Sequence, residues 1–119
     1  MISMIDEVYS ALKNSPSVTA LVPGGIHPIR NPDSVLKYPY ITFFEVSNQE
    51  TESADDEEYA NDIEIQVDIW SKSGTVSVTK AVQKVMRALG FTHQCMPDDY
   101  EDGTKIFHKP IRFTITKEV

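Results

Sequence analysis

Apolar and polar residues alternate most regularly in the middle of the chain. The apolar positions are Ile63, Ile65, Val67 and Ile69, and the polar positions between them are Glu64, Gln66 and Asp68. A period of two places the two sets on opposite faces of a β-strand. We therefore predict a strand with one buried and one solvent-exposed face. Trp70 continues the alternation on the exposed face, and the alternative is that it lies beyond the strand and folds back under a helix.

Two segments have the spacing of amphipathic helices. The first covers residues 3–14, and the second covers residues 76–89 and is followed by Gly90 as its C-cap. A short helical turn is expected between Ser15 and Leu21. The second helix carries a basic stripe on its outer side, formed by Lys80, Lys84 and Arg87.

The remaining elements are strands separated by turns. A short edge strand is predicted at 26–30, a central strand at 40–46, and two further strands at 91–96 and 105–116, joined by an acidic turn. The order α, β, β, β, α, β, β predicts a single α+β domain over residues 1–119. Its mostly antiparallel sheet would have four or five strands, with two helices packed on one face.

The segment 47–61 combines a high density of negative charge with no Lys or Arg. Its acidic residues are Glu50, Glu52, Asp55, Asp56, Glu57 and Glu58. Like charges at this density oppose compact local structure. The sequence therefore predicts a mobile acidic loop.

Composition narrows the class of protein. The 119 residues include 18 acidic and 11 basic ones, giving a net charge of −7, and this balance argues against wrapping a nucleic-acid backbone. We expect a soluble cytoplasmic protein, because no apolar run approaches the length of a membrane span and the N-terminus does not read as a secretory signal. A single cysteine, Cys95, excludes an internal disulfide.

Candidate chemical groups are few. His93 and Cys95 are two residues apart on one strand face, but two further zinc ligands are not evident, and His27 and His108 are expected to be partly exposed imidazoles. The acidic turn fails the EF-hand template, because a loop starting at Asp98 would place Lys109 at its twelfth position. A weak surface site for a divalent ion and a solvated turn both stay open there. We expect no catalytic site, metal or cofactor.

The middle and C-terminal parts of the chain resemble a known family. The residues that carry the resemblance are the segment 63–71, the Ala- and Val-rich helix closed by Leu89 and Gly90, and the last strand with Ile111, Arg112 and Phe113. In this pattern, and in its N-terminal helix and Pro-rich loop before Tyr40, the chain resembles the tail-completion or tail-to-head joining proteins of long-tailed phages and prophages, which are relatives of the tail terminators.

The resemblance implies a structural virion protein without catalytic residues. Such proteins form a ring, commonly a hexamer, that caps the tail tube and docks it to the head. The implied partners are further copies of the chain, the tail-tube protein and the head connector, while DNA passes through without sequence-specific binding and no membrane is involved. The implied location is the host cytoplasm during assembly and then the head-tail junction of the virion. The alternative function is a small cytosolic protein-binding adaptor without catalytic activity.

Three surfaces are candidates for these contacts. Trp70 with Glu64, Gln66 and Asp68 would form an interface. The basic stripe would meet an acidic neighbour, and the alternative is that it is simply a solvated helix face. The acidic loop would face the lumen of the ring and repel DNA, or would dock on a basic partner surface at the outer rim. Of these two positions we expect the lumen.

Overall fold

The computed structural model describes residues 3–52 and 59–118. The described part contains α1 (Ile5–Lys13), α2 (Pro16–Thr19), β1 (Ile26–Pro28), β2 (Tyr40–Glu52), β3 (Tyr59–Ser71), α3 (Val76–Ala88), β4 (Thr92–Cys95), β5 (Asp99–Glu101) and β6 (Ile106–Glu118). No helix in these two ranges is long and apolar enough to cross a membrane.

All strands of the described part join one mixed sheet. The order is β1, β2, β3, β6, β4, and β5 also pairs with β6. Only β1 runs parallel to its neighbour, so the predicted α+β class with a mostly antiparallel sheet is confirmed. The described residues form six strands rather than four or five, because part of the predicted acidic turn pairs with β6 as β5.

The core lies between one sheet face and the helices. Val8 and Leu12 of α1, and Val82 and Met86 of α3, are fully buried in the same cluster as the apolar face of the sheet. The sheet contributes Ile41, Phe43, Ile63, Ile65, Val67, Ile69, Ile111 and Phe113. The predicted packing of two helices on one face therefore holds, with the short α2 beside them. Gly90 ends α3 with a φ of 101°, which a glycine adopts without steric cost.

The predicted mobile loop at 47–61 is wrong for most of its length. β2 continues to Glu52 and β3 begins at Tyr59, and the two strands pair up to these residues. The physical reason is non-local: β6 pairs with β3 as far as Glu118, so β3 has a hydrogen-bonded neighbour on both edges. We call the described residues 47–52 and 59–62 the acidic arm. Asp55, Asp56, Glu57 and Glu58 of the predicted loop lie outside the described residues.

Candidate functional site

An aromatic cluster lies on the sheet face opposite the helices. Trp70 pairs in register with Tyr40 of β2 and His108 of β6. Its ring stacks on His108 with centroids 4.0 Å apart and planes 2° apart, and the Tyr40 ring lies 6.0 Å away at 19°. Trp70 Nε1 donates a hydrogen bond of 3.0 Å to Thr42 Oγ1. Trp70 therefore lies on the face that its alternation predicts and does not fold back under α3.

The cluster continues to one edge through Tyr38. The Tyr38 and Tyr40 rings are 5.3 Å apart, and Lys72 Nζ lies 4.9 Å from the Tyr38 ring centroid. Burial raises the pKa of Tyr40, and the neighbouring Tyr38 adds to the rise. We define the aromatic cluster as Tyr38, Tyr40, Trp70 and His108.

A polar network adjoins the aromatic cluster along β3. His108 Nε2 donates to Asp68 Oδ1 at 2.7 Å, and Gln66 Nε2 donates to the same oxygen at 2.8 Å. Arg112 Nε donates to Gln66 Oε1 at 2.8 Å, and the Arg112 guanidinium also pairs with Glu64. The network thus joins Glu64, Gln66 and Asp68 to two residues of β6 across the sheet.

The expected solvent exposure of Asp68 is wrong. Its exposed fraction is 5%, whereas Glu64 and Gln66 are half-buried. Two donors satisfy the Asp68 carboxylate, which is the condition under which a buried carboxylate is tolerated. The polar side chains of this sheet face are therefore hydrogen-bonded to one another rather than freely solvated.

Sequence reasoning found Trp70 and its strand but missed the partners on β2 and β6. Tyr40, His108 and Arg112 join the surface through strand register, which depends on pairing between distant segments. Alternation along 105–116 supplies a usable signal, since His108 and Arg112 share a parity opposite to that of the buried Ile111 and Phe113.

The two candidate metal ligands lie elsewhere. His93 and Cys95 are on β4, opposite Phe113 and Ile111, and Gln83 Nε2 lies 3.0 Å from Cys95 Sγ. In residues 3–52 and 59–118, no group of three or more His, Cys, Asp or Glu side chains could hold a metal ion. His27 lies in a different part of the sheet, where its Nε2 is 2.8 Å from Gly24 O.

In the acidic turn, the Asp98 carboxylate contacts other parts of the fold. Asp98 pairs with Lys109 Nζ at 3.3 Å and accepts a hydrogen bond of 3.4 Å from Thr75 Oγ1 beside α3. Asp99 and Glu101 belong to β5, and Asp102 is exposed. These contacts connect the turn to α3 and β6.

The basic stripe lies on the outer side of α3. Lys80, Lys84 and Arg87 are all exposed, while Val82 and Met86 on the opposite side of the helix are buried. The ion pairs found in the described part of the chain are His108 with Asp68, Lys109 with Asp98, and Arg112 with Glu64. None of them uses a cation of the stripe.

Fold and surface together define a small α+β domain whose sheet face opposite the helices is suited to protein contact, because bonded polar groups and partly exposed aromatic rings such as Trp70 are typical of interfaces. The family model described as tail completion protein gp17 matches residues 6–115, and the chain belongs to this family. Its role is therefore structural and lies in the phage tail.

Solved structures share the fold. A chain from the virion of a native gene transfer agent (GTA) particle is 14% identical, with a TM-score of 0.65, over 94% of this chain and 92% of that chain. The bacteriophage SPP1 gp17 protein is 16% identical, with a TM-score of 0.54, over 94% of this chain and 88% of that chain. At these identities the likeness is one of fold. No curated protein matches the sequence significantly.

Proposed function

We propose that the chain is one subunit of a ring that caps the finished phage tail tube and joins it to the head connector. The family match over residues 6–115 is the observation that carries this proposal. The similar GTA chain comes from a virion, which supports a position in the particle. In this role the chain assembles in the host cytoplasm, meets the tail-tube protein and the head connector in the virion, and lets DNA pass without reading its sequence.

The aromatic cluster provides a contact surface for a neighbouring subunit or the tail tube. Trp70 is half-buried, so part of its ring is available for further burial. The adjoining polar groups already bond to one another, so a partner that covers them does not strand Asp68 or Arg112 without hydrogen bonds. Aromatic residues in such settings often dominate binding energy.

The same surface supports a role without catalysis. His108, which stacks on Trp70, bonds to Asp68, and both titratable groups belong to the polar network. Asp68 is buried beneath it. These groups hold the surface in shape, and we assign them to binding rather than to acid–base chemistry.

Native mass measurement with purified tails tests the proposal. Tails that lack this protein should bind it at one end, and the bound material should have a mass that is a multiple of 13.4 kDa, six copies for a hexamer. Tails that already carry the protein are the control and should bind none. A monomer or dimer that binds no tails would contradict the proposal and favour the cytosolic adaptor.

A further inference from the structure

Charge is strongly segregated along this chain. Residues 47–62 contain seven of the 18 acidic residues and none of the 11 basic ones, leaving 11 acidic and 11 basic residues elsewhere. The net charge of −7 is therefore equal to the charge of this one segment. By contrast, the segment 69–97, which contains α3, has four basic residues and no acidic one.

The acidic arm extends past the end of α3 rather than across it. A Cβ built on Gly90, just after α3, would lie 3.3 Å from Ile115 Cδ1, and Ile115 pairs with Ile63. The acidic arm follows beyond Ile63, where β6 still pairs with Asn61 and Asp62 through Lys117 and Thr116. This ladder keeps the arm in line with the sheet, so the exposed Glu50 lies beyond the end of α3.

The basic stripe is therefore an unpartnered surface with a defined charge. Its three cations are exposed and spaced four and three residues apart, about one helical turn each, so they form a continuous row along α3. They form no ion pair within the described ranges. A partner with several carboxylates on a narrow projection matches this row, and the chain itself carries such a projection.

We propose that the basic stripe of α3 binds the acidic arm of a second copy of the chain. The inference rests on the proposed ring and names the surfaces that join its subunits. Each copy then uses its arm on one neighbour and its stripe on the other. Such a head-to-tail contact is heterologous and closes into a ring when the rotation between copies allows it.

This contact is the alternative to the lumenal position predicted from sequence alone. Paired strands support it, because they hold Glu50 and the residues around it on a stem that projects beyond the helices. An ordered stem reaches a neighbour with little loss of conformational freedom. A lumenal segment needs no partner of opposite charge and leaves the stripe unpaired.

Charge-swapped variants test the contact. The stripe variant is Lys80→Glu, Lys84→Glu and Arg87→Glu. The arm variant is Glu50→Lys, Glu52→Lys and Asp62→Lys, all within the acidic arm as defined above. A matched control reverses three exposed cations elsewhere, Arg30→Glu, Lys37→Glu and Lys105→Glu, and changes the net charge by as much as the stripe variant does.

Sedimentation at low ionic strength is the measurement in solution. We expect the wild-type chain and the control to self-associate, with about tenfold weaker association for either the arm or the stripe variant alone. An equimolar mixture of the arm and stripe variants should recover wild-type association, because each positive arm then meets a negative stripe. Raising the salt concentration should weaken the wild-type contact.

Three results would overturn the inference. They are a wild-type chain that stays monomeric at low ionic strength, variants that associate like the wild type, and a mixture that shows no recovery. Circular dichroism on each variant separates loss of contact from loss of fold. If the variants still form rings on tails, the inference fails while the proposed function stands; if no chain binds tails, the proposed function itself fails.

Discussion

At the scale of single residues, Trp70 lies between the rings of His108 on β6 and Tyr40 on β2. Its ring lies flat on His108, and its Nε1 bonds to Thr42, yet the residue is still half-buried rather than buried. Trp70→Ala should keep the secondary structure and weaken assembly on tails by about 2 kcal/mol, because a truncated interface aromatic loses its packing. Quantitative tail binding measures this.

Trp70→Phe is the matched control for that change. It retains a ring above His108 and removes the donor to Thr42, so it should bind more tightly than Trp70→Ala. Unfolding of Trp70→Ala would show instead that the residue belongs to the monomer core.

Asp68 is the buried acceptor of the polar network. Asp68→Ala leaves the donors of His108 and Gln66 without their shared partner, so we expect unfolding to become easier by about 1–3 kcal/mol. Asp68→Asn keeps an acceptor oxygen in place and should cost less. Urea denaturation followed by circular dichroism compares the two, and equal stability of Asp68→Ala and the wild type would show that the network contributes nothing.

At the scale of elements, the loop before β2 packs tightly on Gly24. A Cβ at Gly24 would lie 1.9 Å from Lys37 O and 2.8 Å from Tyr40 Cβ, while Gly24 N donates to Pro39 O at 3.0 Å. Gly24→Ala must therefore displace the backbone that leads into β2, and we expect a loss of about 1–3 kcal/mol.

Gly103 offers the matched control for Gly24, because within residues 3–52 and 59–118 no heavy atom beyond its own and its two chain neighbours' lies within 4 Å of its Cβ position. Gly103→Ala should change the free energy of unfolding by less than about 0.5 kcal/mol. Thermal unfolding compares the stability of the two variants. A Gly24→Ala protein as stable as the Gly103→Ala protein would contradict the close packing of the loop before β2 on Gly24.

The two long helices are held by side chains with no exposed surface. Leu12 and Val82 are each 0% exposed, so Leu12→Ala should cost about 2–4 kcal/mol and Val82→Ala about 1–3 kcal/mol through the cavities left behind. Lys84→Ala, on the exposed side of α3, should be nearly neutral. Chemical denaturation gives the values, and a neutral Leu12→Ala would mean that α1 does not pack on the sheet.

The local pattern of apolar and polar residues was enough to predict those elements that carry a regular hydrophobic periodicity of their own. The alternation in β3 and the helical spacing in α1 and α3 follow from burial of one face, which each segment encodes by itself. The length of β2 and the existence of β5 depend on pairing with β3 and with β6, and no local pattern contains that pairing. For the same reason the sequence indicated Trp70 and not its partners Tyr40 and His108.

At the scale of the whole molecule, the chain is elongated, with extents of 53 × 27 × 25 Å. The aromatic cluster lies near one end of β3, and the acidic arm lies at the other. Opposite ends of one sheet thus offer an aromatic surface and a charged one, and both are available for the contacts that the proposed ring requires.

Electron microscopy of phage assembly with and without the protein tests the central claim most directly. Heads and tails from an extract that lacks the chain should stay separate, and adding the purified protein should place a ring at one end of each tail and restore joined particles. Joining that proceeds equally well without the protein, or protein density distributed along the tail tube with none at its end, would contradict the account.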